Sequence, residues 1–281
     1  MSILVVGSTG LLGSTLCPIL VARGADVVRH GNLRQADLTL DLLDRAATFK
    51  ALSKLRPARI INLAALSNVD ECEANPHSAY LLNVHIVENL AAWIKTNRDT
   101  HLVHVSTDQV YDDAGPHAED DVRLRHVYAL TKYAGEIVAA GVGGIVLRSN
   151  FFGPSRLRGR MSFSDWLVSA MREGRPTKVF TDVLFSPLSM TTLGEMIAVS
   201  ITRPIAGIFN LGSHEGLSKA DFAFELASVL GISPLPLTRA LSSEVSLRAY
   251  RPKDMRMNSS RFERTFDARL PLLVDEIRSL R

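Results

Sequence analysis

Cysteine is nearly absent: Cys17 and Cys72 are the two in 281 residues. They stand far apart and lack metal-ligand spacing, which excludes a disulfide framework and points to two reduced, buried thiols. A dense run of lysine and arginine is missing too. The 32 basic side chains are nearly balanced by 29 acidic ones, and the formal net charge is +3. That leaves no basic stripe for nucleic acid. No apolar stretch reaches the roughly 20 residues of a membrane span. The first residues carry no positive charge and their apolar run stops at Gly7, so no signal peptide is expected. Repeats and low-complexity segments are lacking as well. The expectation is a cytoplasmic protein with neither nucleic acid nor a membrane as partner.

What is present is ordinary for a globular chain, with 46% hydrophobic and 22% charged residues. The length allows a sizeable core in one large domain or two small ones. Residues 3–6 form an unbroken apolar run, as in a parallel strand buried on both faces. Further strands are predicted over 25–29, 59–65, 101–106 and 145–148. Helices are predicted between them over 10–23, 37–55, 79–95 and 128–140. This alternation predicts an α/β fold, a doubly wound parallel sheet of the Rossmann kind over residues 1–152. After Gly153 the texture changes. Helices over 164–173, 192–203 and 219–230 and a strand over 207–211 predict a smaller C-terminal α/β lobe for substrate. That lobe comprises 153–185 and 213–281, with about 186–212 rejoining the sheet.

Gly7, Gly10 and Gly13 follow the first strand and open the first helix, with Thr9, Leu11 and Leu12 between them. Such glycines permit a tight turn and let the backbone approach a pyrophosphate. The helix N-terminus meets that anion with unpaired N–H groups and partial positive charge. An acid after the second strand would grip the ribose of NAD. Arg29 and His30 stand there instead, with Arg34 nearby. A basic side chain suits the 2′-phosphate of NADPH, which is therefore favoured over NADH.

Tyr128 and Lys132 lie at i, i+4, on one face of the fourth helix. Ser106, Thr107 and Asp108 end the strand before it. A free phenol titrates near 10, and a neighbouring ammonium would bring it toward neutrality. A hydroxyl at the strand end could bind the same substrate oxygen. The trio offers a proton donor, its tuning group and an orienting hydroxyl, as carbonyl reduction beside a nicotinamide requires.

The chain resembles the extended short-chain dehydrogenase/reductase superfamily, and within it the dTDP-4-dehydrorhamnose reductase family. The resemblance runs nearly end to end. It is carried by GSTGLLG (7–13), INLAALSNVDECE (61–73), HVSTDQVYD (104–112), YALTKYAGE (128–136), LRSNFFG (147–153) and SKADFA (218–223). It implies NADPH-dependent reduction of a 4-keto group on a nucleoside-diphosphate deoxysugar, and it allows a homodimer. By matching position, Tyr128 would protonate the keto oxygen and Thr107 would hydrogen-bond it. Lys132 would hold the nicotinamide ribose and acidify Tyr128. Asp37 and Leu38 would lie beside the adenine, Ala64 and Ala65 along the cofactor, and Asn83 would support them. Ser67, Val69, Asp108, Gln109, Asn150 and Phe151 would line the sugar pocket.

Three departures fall on the substrate side. Gln109 stands where the family usually has an aromatic residue, Ala129 where glycine follows the tyrosine, and DVLFSPLS (182–189) matches only in part. They leave the cofactor chemistry intact and the particular sugar open. No family metal site can be matched, so none is expected. Two alternatives stay open: an NAD-linked epimerase or dehydratase of the same superfamily, and a regulatory subunit that keeps the fold without catalysis. His101 and His104 read as structural, and His126, two residues before Tyr128, reads as a loop histidine rather than a substrate or cofactor contact. Glu119, Asp120 and Asp121 read as solvated loop, and Trp166 as core. Arg156, Arg158 and Arg160 read equally as a solvated loop or a diphosphate contact.

Overall fold

The computed structural model describes residues 1–32 and 36–281; Arg34 lies outside them. The first half runs β1 (Ser2–Val6), α1 (Leu11–Ala22), β2 (Asp26–Gly31), β3 (Leu38–Thr39), α2 (Arg45–Leu55) and β4 (Arg59–Asn62). It continues with α3 (Val69–Ala74), α4 (Pro76–Tyr80), a π-helical turn (Leu81–His85), α5 (Ile86–Thr96), β5 (His101–Thr107), α6 (Val127–Ala140) and β6 (Ile145–Ser149). The second half holds β7 (Phe151–Phe152), α7 (Phe163–Arg172), β8 (Thr177–Phe180), β9 (Leu184–Phe185), β10 (Leu188–Ser189), α8 (Met190–Ser200) and β11 (Gly207–Leu211). It ends with β12 (Leu217–Ser218), α9 (Lys219–Leu230), β13 (Leu237–Ala240), α10 (Ser260–Phe266) and α11 (Leu273–Arg278).

One sheet has the order β11-β6-β5-β4-β1-β2-β3, parallel throughout. The apolar residues of β1, β4, β5, β6 and β11 feed two cores, one on each face of the sheet. In β1, Ile3 and Val5 join Leu16 and Leu20 of α1 and Leu193 and Ile197 of α8 on one face. Leu4 and Val6 join Leu52 of α2 and Leu90 and Trp93 of α5 on the other. The strand order reverses between β1 and β4, the place where open α/β sheets leave a ligand crevice. A separate, smaller core gathers Phe152, Leu167, Phe185, Phe222, Leu226 and Ile277 from the second half. Three two-stranded pairs, β7 with β10, β9 with β12 and β8 with β13, join its loops. Among the described residues no helix is long and apolar enough to cross a membrane.

The helix predicted over 37–55 is half right. Leu38 and Thr39 pair in parallel with His30 and Gly31 instead. The helix starts at Arg45 because Asp44 caps it, its carboxylate accepting from the Ala47 N–H at 2.9 Å. Both cysteines are free and buried, and burial pushes each thiol up to about 11. Glu119 departs from the solvated-loop expectation. It is buried, and its carboxylate accepts from the Asn210 N–H at 3.0 Å.

Candidate active site

Gly7 ends β1 with φ +76°, a conformation that favours glycine, and a Cβ there would lie 2.9 Å from the Ala64 nitrogen. At Gly13 a Cβ would come within 2.6 Å of the Ser8 backbone. Gly10 is different: its φ is −86°, and a Cβ would meet the Gly7 carbonyl at a tight but tolerable 3.2 Å. Internal packing asks less for glycine here, whereas a close-approaching anion would ask for it. Gly10 caps α1 without a side-chain hydrogen bond, and Leu11 and Leu12 begin a first turn that carries no acid. These backbone donors fit a dinucleotide pyrophosphate. Thr9 flanks the turn and would contact a Cβ at Gly31. Ala64 and Ala65 follow β4, and the Asn62 side chain holds the Ala64 N–H at 3.1 Å.

At the far end of β2, Arg29 and Asp37 grip each other. Nη2 lies 2.7 Å from Oδ1 and Nε 2.9 Å from Oδ2, and the guanidinium pulls Asp37 down to about 2. Both side chains are exposed, and Arg29 is already paired. The His30 ring turns inward, its Nε2 2.8 Å from the Leu40 carbonyl. Its own carbonyl receives the Ser8 N–H and hydroxyl. Leu38 pairs with His30 across β3.

Thr107 ends β5, and Asp108, Gln109 and Val110 turn away from it. Thr107 Oγ1 accepts from the Gln109 N–H and donates to Asp108 Oδ1 at 3.3 Å. Tyr128 sits in the first turn of α6, 7% exposed. Burial raises its pKa, Asp108 and Cys72 raise it further, and hydrogen bonding to Thr107 pulls it back. The phenol is therefore held neutral. Lys132 lies one turn on; its Nζ donates to the Val105 carbonyl at 2.8 Å, and burial lowers it to about 8. His104, read as structural, stands beside it. The Asn62 amide donates to His104 Nδ1 at 3.1 Å, which leaves the proton on Nε2, 3.5 Å from the Lys132 ammonium. Asn83 lies in the π-helical turn and clamps this region. Its amide receives the Leu66 N–H at 2.8 Å and donates to Thr131 at 3.0 Å.

His126 is the N-cap of α6, with Nδ1 accepting from the Ala129 N–H at 3.2 Å and its ring stacked 6.2 Å from that of Tyr128. Burial, then Arg251, lowers it to about 4. Burial also keeps His30 and His104 neutral. A histidine whose folded pKa is depressed stabilises above its unfolded value of 6.5, and that stability is lost as pH falls toward the folded value. Asp108, raised by burial, acts in the opposite sense below its own raised value. For His126 the loss between pH 6.5 and 5 is about 2 kcal/mol. Denaturant unfolding is expected to show lower stability at pH 5 than at pH 7, the histidines outweighing Asp108; equal midpoints at the two pH values would contradict it.

A cavity of about 690 Å³ opens beside Gln109 and Asn150. Asn150 donates to Asp108 Oδ2 at 2.8 Å, so the strand-end hydroxyl and carboxylate connect to the cavity wall. Phe163, Trp166, Lys219 and Arg251 line it as well. Trp166 thus faces the cavity while packing on the smaller core. Of the remaining sugar-pocket candidates, Val69 packs beside Tyr128, Phe151 packs on the sheet core, and Ser67 is exposed. Arg156, Arg158 and Arg160 are exposed and not among the residues lining this cavity. Lys219 was missed in the sequence, although the SKADFA stretch contains it. Nothing local says that a lysine after a helix cap reaches a cavity built by residues 26 to 110 positions away.

The whole chain is similar to known proteins. Residues 1–279 match the family model described as the RmlD substrate binding domain. A dTDP-4-dehydrorhamnose reductase of Streptomyces griseus is 31% identical over 92% of this chain and 86% of its own length. The crystal structure of a dTDP-4-dehydrorhamnose reductase from Clostridium acetobutylicum superposes with a TM-score of 0.89 at 25% identity, covering 100% of this chain and 98% of that one. One from Bacillus anthracis, in complex with NADP, gives 0.89 at 21% identity over 99% and 97%.

Proposed function

The chain belongs to the RmlD substrate binding domain family, and from that premise we propose that it is an NADPH-dependent reductase of the 4-keto group of a nucleoside-diphosphate deoxysugar. The observation that carries the reading is the neutral, buried Tyr128 against Thr107, linked through Asp108 and Asn150 to a cavity of sugar-nucleotide size. Bound NADPH supplies the hydride. Tyr128 gives its proton to the keto oxygen, and the Thr107 hydroxyl orients that oxygen. Lys132 spends one donor on Val105 and keeps two for the nicotinamide ribose. Gly7, Gly10 and Gly13 cradle the pyrophosphate, and Arg29 with Asp37 meets the adenosine end. Because Asp37 occupies much of the Arg29 fork, NADH is accepted too, more weakly. Residues 1–152 with 186–212 hold the cofactor, and 153–185 with 213–281 hold the sugar nucleotide.

The test is NADPH and NADH oxidation with dTDP-, GDP- and CDP-linked 4-keto-6-deoxysugars. Oxidation that depends on one of these sugars is the expected result. Tight cofactor binding with sugar interconversion and no net oxidation would instead establish an epimerase.

A further inference from the structure

Four basic residues line the cavity, and three already have partners. Arg251 is paired with Asp70, with 2.6 Å between Nη2 and Oδ2. Lys178 donates to the Glu244 carbonyl at 3.2 Å, and Arg175 lies 3.4 Å from Glu173. Lys219 differs. It is the first residue of α9, placed by the Ser218 cap and by its own N–H on the Val183 carbonyl. Its Nζ rests 3.3 Å from the centre of the Phe185 ring and 4.4 Å from that of Phe163. Among the described residues no acceptor hydrogen-bonds it. Cation–π contact stabilises an ammonium but leaves its N–H donors unused. Asp108 is the carboxylate that acts on Lys219, and both Asp108 oxygens are already bonded, to Thr107 and Asn150. On the same cavity wall Gln109 Oε1 is buried without a partner. One unspent donor and one unspent acceptor therefore belong to residues that line one cavity.

Resting on the reductase reading above, we propose that Lys219 and Gln109 determine sugar specificity by binding one uncharged ring substituent, a hydroxyl or a secondary amide. Its oxygen accepts from Lys219 and its hydrogen is received by Gln109. The negative charge of Asp108 disfavours a carboxylate in this position, because two like charges would share a poorly solvated site. A substituent without oxygen leaves the ammonium and the amide unpaired on binding, which is the larger cost.

The experiment measures kcat/KM for 4-keto sugar nucleotides that carry a hydroxyl, an acetamide or a hydrogen at one ring carbon at a time, with a uronic acid as the charged comparison. At one carbon, hydrogen in place of the preferred substituent should cost the native protein roughly 10- to 100-fold, the range for hydrogen bonds to charged groups. In K219M and Q109L that ratio should collapse toward one, and K219R should retain part of it. Loss in K219M by the same factor for every sugar would overturn the proposal, as would a preference for the uronic acid. Binding of the corresponding 4-hydroxy sugar nucleotides is titrated in parallel, without turnover. If no sugar is reduced but their affinities keep this Lys219-dependent ratio, the specificity site stands and the reductase reading falls. If the native protein binds all of them alike, the specificity site falls whatever the turnover. Thermal midpoints of the variants separate either result from misfolding, and Q109L and K219R carry the test where K219M does not fold.

Discussion

Tyr128→Phe is expected to lower kcat for keto-sugar reduction by about 10²–10⁴-fold, the usual contribution of a positioned general acid. NADPH affinity should stay within a few-fold. The reason lies in the state of the phenol. Burial, Asp108 and Cys72 all favour its protonated form, so at neutral pH the hydroxyl carries the proton that the reaction consumes. Phenylalanine keeps the ring against Cys72 and Ala79 and against the stacked His126, so the fold and the crevice survive. Only the phenol hydroxyl, with the proton it carries, is removed. Single-turnover hydride transfer, followed by NADPH absorbance, separates the chemical step from binding. A rate unchanged in Tyr128→Phe would move proton donation to another group. Thr107→Val offers the comparison, because it keeps the donor and removes the orienting hydroxyl; a smaller loss is expected there.

The parts of the site that were legible in the sequence are those whose geometry is local. A strand running into three glycines and a helix needs only its own hydrogen bonds to make an anion cradle, and Gly7 and Gly13 take the close backbone contacts their spacing implies. Tyr128 and Lys132 share a helix face because α6 is regular between them. The strand at 207–211 was visible as an isolated apolar run, and it does rejoin the sheet beside β6. What could not be read depends on tertiary approach. Leu38 and Thr39 scan as helix until β2 offers them a strand edge. His104 alternates with apolar neighbours like any core residue, and only the arrival of α6 puts Lys132 against it. Lys219 reaches the cavity because β12 pairs with β9 and so sets the start of α9 over Phe185. The end point of the Lys132 side chain could not be read for a related reason. Spacing of i, i+4 sets the side of the helix, whereas the Val105 carbonyl sets where the ammonium ends.

Glu136→Gln is expected to destabilise the protein by about 3–5 kcal/mol, the cost of leaving a buried charge without its partner. Glu136 of α6 and Arg148 of β6 are 0% and 1% exposed and lie 2.6 Å apart. Arg148 meets both carboxylate oxygens, and its remaining nitrogen donates to the Tyr111 hydroxyl at 2.8 Å and to the Glu119 carbonyl. Ser106 donates to Glu136 from β5, and Tyr111 donates to Asn210 of β11 at 2.6 Å. The network therefore joins three neighbouring strands to the helix that carries Tyr128 and Lys132. Glutamine keeps the shape but removes the charge, so the guanidinium remains buried with nothing to balance it. The double variant Glu136→Leu, Arg148→Met removes both charges and should cost less than the sum of the single changes, because the second substitution relieves the unpaired group that the first creates. Urea unfolding of Glu136→Leu, Arg148→Met and the double variant measures that coupling. Strict additivity would mean that the pair contributes nothing beyond its separate contacts. A large coupling would place the rigidity of α6, and with it the register of Tyr128 against Thr107, on a salt bridge behind the active site rather than within it.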